Sequence, residues 1–90
     1  MDVRKNADRS RYELVRDGTV VAIADYVERG ETVVFPHTEV APSVRGRGFG
    51  AVLVRRALED VRGSGKRIVP ACWFVAEFVD SNPEYADLVA

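Results

Sequence analysis

The stretch Arg45-Gly46-Arg47-Gly48-Phe49-Gly50, running directly into Ala51-Val52-Leu53-Val54-Arg55-Arg56-Ala57-Leu58-Glu59-Asp60-Val61, decides how the rest of the chain is read. Its first half alternates glycine with bulkier residues, and its second half changes to a helical period. Val54, Ala57, Leu58 and Val61 stand at i, i+3, i+4 and i+7, with Leu53 beside them and Arg55, Glu59 and Arg62 on other faces. An amphipathic helix therefore opens on a glycine loop. The backbone there has little side-chain cover, and a helix leaves its first amide hydrogens without internal partners. The positive end of the helix dipole and the charges of Arg45 and Arg47 make this an anion site, with a phosphate-bearing ligand its natural occupant. The alternative is a surface turn that uses glycine for backbone tolerance alone.

Upstream of the loop the period is that of strands. Tyr12 and Leu14, then Val20, Ala22, Ala24 and Tyr26, sit on alternate positions around Asp17-Gly18, a pair that tolerates the positive φ angles of a tight hairpin. Glu28-Arg29-Gly30-Glu31 supplies a second turn, and Thr32-Val33-Val34-Phe35 reads as a third strand that His37 to Val40 extend. Pro36 has no amide hydrogen, so a bulge, a break or an edge is expected there. Downstream, Gly63-Ser64-Gly65 stops the helix, and Arg67-Ile68-Val69-Pro70 is placed as a parallel strand returning beside an earlier one through a right-handed crossover. Ala71, Phe74, Val75, Phe78 and Val79 suit a second helix. Asn82-Pro83-Glu84 then offers a cap residue, a proline at the first helical position and an early acid for a last short one. The fold class is α+β: an antiparallel meander, then strand-helix-strand with parallel pairing, one mixed sheet and C-terminal helices. Residues 1–10 carry charges and little to bury, and are expected to be a flexible arm on one domain spanning 1–90.

Ninety residues support a single core. The 47% hydrophobic and 30% charged composition is ordinary for a globular domain, and the formal net charge of -1 supplies no large positive field for nucleic acid or an anionic membrane. The single cysteine, Cys72, has no disulfide partner, and no Cys/His cluster offers a metal set. No apolar run reaches the ~20 residues of a membrane span, and none near the start resembles a signal peptide. The expectation is a soluble, cytoplasmic protein, monomeric or weakly homodimeric.

Gly46, Gly48 and Ala51 also fit the dinucleotide pattern G-x-G-x-x-A. That fold requires the motif after the first strand of a parallel sheet and an acid at the end of the next strand, where this chain has Pro70-Ala71-Cys72. The phosphate-loop pattern with Gly-Lys-Ser/Thr is missing as well.

Arg45 to Gly50 instead resembles the Q/R-x-x-G-x-G/A signature of the GNAT (Gcn5-related) N-acetyltransferases, with Val40, Pro42 and the helix Ala51 to Val61 standing where that family has its splayed strand and signature helix. His37-Thr38-Glu39-Val40, the loop, Cys72-Trp73-Phe74 and Asn82-Pro83 are together similar to a very small, shortened GNAT subgroup, over most of the chain from about Tyr12. The resemblance implies acetyl-coenzyme A as co-substrate and an amine of unknown identity as acceptor. Arg45, Gly46, Arg47, Gly48, Phe49 and Gly50 become pyrophosphate binders, and Thr38 to Val40 become neighbours of the pantetheine arm. Full-length members carry helices between their first two strands and a C-terminal strand pair. This chain has a tight turn and a helix there, which implies an open acceptor site.

Transfer from a thioester to an amine needs the amine deprotonated, the oxyanion stabilised and the departing thiolate protonated. Glu39 and His37, just before the loop, are the candidate bases; each has a plain alternative, a solvent-facing carboxylate and a hydrogen-bonded structural histidine. Cys72 lies where the second parallel strand ends and a helix begins, a place where helix amides favour a thiolate, or where a small residue fills the core. Trp73 and Phe74 are either walls of the acyl pocket or core filling. Many GNATs place a thiolate-protonating tyrosine on the helix after this strand; that helix has none here, and Tyr85 is a distant substitute. Arg55, Arg56, Glu59 and Asp60 read as a solvated helix face. Two rival functions stay open: a coenzyme A binding module without efficient transfer, and a small nucleic-acid or protein adaptor using Arg45, Arg47, Arg55 and Arg56.

Overall fold

The computed structural model describes residues 1–90. Five strands form one sheet in sequence order: β1 (Asp2–Asn6), β2 (Arg11–Arg16), β3 (Thr19–Arg29), β4 (Thr32–Val40) and β5 (Arg67–Val69). The first four pair antiparallel, and β5 pairs parallel with β4 after the crossover through α1 (Phe49–Gly63). α2 (Trp73–Ser81) and a 3-10 segment, Pro83–Leu88, complete the chain. No helix is long and apolar enough to cross a membrane.

The turns form where the sequence permits them. Asp17 and Gly18 take φ angles of 51° and 76°, the paired positive values of a two-residue hairpin. Pro36 sits in a bulge: Asp25 pairs with His37 and Val27 with Val34, so Phe35 and Pro36 together oppose Tyr26. α1 lays Leu53, Val54, Ala57, Leu58 and Val61 on the sheet, each at most 2% exposed. Complete burial of a Leu or Val side chain contributes about 1.5–3 kcal/mol, so this stripe fixes the helix in place. α2 and the 3-10 segment pack beside α1, with Arg55 over the rings of Phe78 and Tyr85 and Arg62 paired with Asp87.

The expected arm is a correction. Asp2 to Asn6 form an edge strand whose charges find partners only across the sheet. Arg4 Nε and Arg11 Nε each donate to the buried Glu13 carboxylate at 2.8 Å, Asn6 Nδ2 donates to it at 3.1 Å, and Lys5 Nζ lies 5.2 Å from the Tyr26 ring centre. The helix face Arg55, Arg56, Glu59 and Asp60 is exposed as expected, and three of its four charges also find partners. Asp60 accepts from Tyr12 Oη at 2.6 Å, Glu59 accepts from Tyr85 Oη at 2.5 Å, and Arg55 donates to Glu84, Tyr85 and Asn82. With Arg55 engaged, the four-arginine adaptor patch loses a member.

All the helices gather on one face, where Val33 and Ile68 are paired and buried. On the other face the register aligns Arg4, Glu13, Ile23 and Glu39 in one cross-strand row, Asn6, Arg11, Asp25 and His37 in the next, and Val27, Val34 and Val69 in a third. Val27 is 44% and Val69 37% exposed.

Candidate functional site

β4 and β5 stay paired only from Thr32 to Val34, opposite Arg67 to Val69. Beyond that the Cys72 amide donates to the Phe35 carbonyl at 2.8 Å, and the outer edge of β4 continues without a strand beside it. The Val40 carbonyl faces this edge, since it accepts from Arg45 Nε at 3.1 Å. Strand alternation turns the backbone of Thr38 the same way. The splay opens a groove of about 570 Å³ lined by residues 37–40, 44–46 and 48–51 and by Phe74.

The floor of the groove is the start of α1. Gly48 caps the helix in the left-handed region, φ 78°, with no side-chain cap, and Gly46 lies at φ 81°. A β-carbon at either would meet nothing within 4 Å. The loop glycines thus keep the backbone uncovered, and the Val52 amide is the first to find its helical acceptor, Gly48 O at 3.2 Å. The amides before it are free for a ligand. Gly50 serves differently: a β-carbon there would lie 2.6 Å from Phe74 Cζ, so this glycine lets α2 approach α1.

His37 and Glu39 stand on the helix-free face, both exposed, with Nε2 and Oε2 3.5 Å apart. Cys72 is the N-cap of α2 and is half-buried. Its Sγ donates to Thr38 Oγ1 at 3.6 Å. Burial pushes the thiol pKa up, but the amides of Val75 and Phe74 and the hydroxyl and backbone of Thr38 together outweigh it, leaving the thiol below its ordinary value.

Of the residues singled out from the sequence, His37, Thr38, Glu39, Val40, Arg45, Gly46, Gly48, Phe49 and Gly50 line one groove. Arg47 is on the loop but is no part of the wall, and Cys72 reaches the groove residues through Thr38. Phe74 is a wall, whereas Trp73 is 75% exposed and neither walls this groove nor fills the core. Tyr85 is buried, its hydroxyl engaged by Glu59 and Arg55 on later turns of α1, so it is a packing residue and not a substitute acid. Arg16 went unnoticed in the sequence. From the end of β2 it places its guanidinium 5.5 Å from the Phe49 ring centre, beside the loop, a juxtaposition with no local sequence signal.

The family model described as GCN5-related N-acetyl-transferase matches residues 11–88. Protein NATD1 of Bos taurus is 38% identical over 64 residues, which cover 70% of this chain and 55% of that protein. The same-named protein of Danio rerio is 29% identical over 84 residues, 90% of this chain and 76% of that one. The chain thus spans little more than half the length of the first of these relatives. Among solved structures, a GCN5-like protein from Staphylococcus aureus superposes with a TM-score of 0.76 at 18% identity, over 99% of this chain and 87% of that one. The ribosomal-protein-S18-alanine N-acetyltransferase of Escherichia coli does so with a TM-score of 0.66 at 18% identity, over 79% and 49%. At these identities the two structures establish the fold.

Proposed function

Since the chain belongs to the GCN5-related N-acetyltransferase family, we propose that it transfers an acetyl group from acetyl-coenzyme A to an amine, with the groove between β4 and α1 as the donor site. The observation that carries this reading is the uncapped start of α1 opening onto the unpaired edge of β4. The amides of Gly48 to Ala51, the open space in front of Gly46 and Gly48, and the charges of Arg45, Arg47 and Arg16 suit a pyrophosphate. Thr38 and Val40 offer backbone groups along the path of the pantetheine amides, as a neighbouring strand would.

In the reaction the acceptor nitrogen bonds to the thioester carbon, the carbon–sulfur bond breaks, and the sulfur leaves as thiolate. His37 or Glu39, or the pair sharing one proton across 3.5 Å, takes the proton that the nitrogen loses. The same site returns a proton to the departing sulfur, so that an amide and a free thiol result. Cys72, beside Thr38 at the splay, orients the thioester end or carries the acyl group briefly.

The test is thermal melting with acetyl-coenzyme A, followed by thiol release in an amine panel. A ligand that binds only the folded chain at a hundredfold excess over Kd adds ~2.7 kcal/mol, or roughly 10–20 °C in a domain of this size. No rise in Tm refutes the donor site. A rise with no thiol release above background leaves a coenzyme-binding module.

A further inference from the structure

From the helix-free face of the sheet we infer that the acceptor is a polypeptide amine flanked by apolar residues, docked across β4 with its amine at His37 and Glu39. This rests on the donor-site reading above and adds the class of acceptor. Three observations converge on it. The His37–Glu39 pair is exposed on the face opposite the helices, at the strand that also borders the donor groove, so an acceptor reaches it from that side. The pair lies between two apolar surfaces. On one side is the row of exposed Val27 and Val69 with half-buried Val34 between them; on the other is a shallow depression of about 190 Å³ formed by Val20, Val21, Ile23 and Pro42, which shares Glu39 and Val40 with the donor groove. Finally, the spacing suits an extended chain. Val34 stands three positions before His37 and Pro42 three positions after Glu39. A peptide lying along β4 advances about 3.3 Å per residue, so side chains about three residues to either side of the reactive one reach the two surfaces.

A small free amine held at His37 and Glu39 reaches at most the shallow depression beside Glu39, and it leaves the valine row, which lines no cavity, uncovered. An extended peptide gains from burying both apolar surfaces, and that gain depends on the apolar area removed from water.

The experiment compares three acceptors at saturating acetyl-coenzyme A, with thiol release as readout. They are an N-blocked heptapeptide with central lysine and leucine three residues to either side, the same peptide with serine at both places, and Nα-acetyl-lysine. The leucine peptide should exceed the other two by about tenfold or more in kcat/KM, chiefly through KM. Val27→Asp should raise KM for the leucine peptide by about tenfold while the coenzyme-induced rise in Tm is retained; Val27→Ser, milder for folding, should move it in the same direction. Equal kcat/KM for all three acceptors, or an unchanged KM in both folded variants, overturns this inference alone. No response to the coenzyme overturns the donor site, and the acceptor surface falls with it.

Discussion

Replacing Gly50 with alanine tests whether this glycine serves packing and not the phosphate path. The added carbon would lie 2.6 Å from Phe74 Cζ, and the ring must retreat by about 1 Å to reach the ~3.5 Å of ordinary carbon contact. Gly50 has no positive φ, so alanine suits its helical backbone, which favours the change by about 0.5–1 kcal/mol. Overpacking opposes it by about 1–3 kcal/mol. The net loss is then at most about 2.5 kcal/mol, and each kcal/mol lowers Tm by roughly 4–8 °C. Phe74 is only half-buried and forms the groove wall, so the open direction for its ring is into the groove. The variant should therefore fold, melt somewhat lower, and bind acetyl-coenzyme A about tenfold more weakly, a cost near 1.4 kcal/mol. Phe74→Leu in the same background removes Cζ and should restore much of the affinity. Melting curves and calorimetric titration of all four combinations close the cycle. A Gly50→Ala chain with higher Tm and unchanged affinity would refute the packing argument. A loss of affinity that Phe74→Leu leaves untouched would show that Gly50 acts through its own backbone at the ligand.

Gly48→Val should keep the fold but abolish the coenzyme-induced rise in Tm, because a branched residue at φ 78° is strained and its side chain enters the open space before the helix amides. The Arg4 guanidinium, against the upward push of burial and aided by Arg11 and Asn6, holds Glu13 at about 2, down from 4.5. A depressed carboxylate contributes stability above its unfolded pKa and loses it as pH falls through the folded one. The parent should accordingly lose on the order of 2 kcal/mol from this group as pH drops from about 4.5 to 2, a loss that Glu13→Gln, followed by urea unfolding over the same range, should lack. Thr38→Val removes the hydroxyl 3.6 Å from Cys72 Sγ, so the pH midpoint for alkylation of Cys72 should move upward; an unchanged midpoint would mean that the α2 amides and the Thr38 backbone set the thiol without the hydroxyl. Cys72→Ser should lose turnover with coenzyme affinity nearly constant if the sulfur takes part in transfer, whereas turnover that follows the folded fraction would assign Cys72 to packing.

The order of elements was legible because each rests on local chemistry. Asp17-Gly18 accepts positive φ, Leu53 to Val61 carry one apolar stripe, Gly63 to Gly65 end it, and the short apolar strand after it returns in parallel beside an earlier one, as a crossover through a helix allows. The loop, too, could be read as an anion site, since alternating glycines ahead of a helix expose amides wherever the rest of the chain goes. Partners distant along the chain were not legible. Nothing near Arg4, Lys5 and Asn6 announces that Glu13 and two tyrosine rings await them across a strand, and nothing near the exposed Asp60 and Glu59 announces that they accept from Tyr12 and Tyr85, 48 and 26 residues away. The separate duties of Gly48 and Gly50 also needed the fold, because one is set by a backbone angle and the other by a ring carried on α2. By itself the sequence determined periodicity, turns and the charge of one loop, which are properties of neighbouring residues. Only the tertiary structure decided which charges are buried, which side chains wall the groove and which face of the sheet stays open, because those follow from packing between segments far apart in the chain.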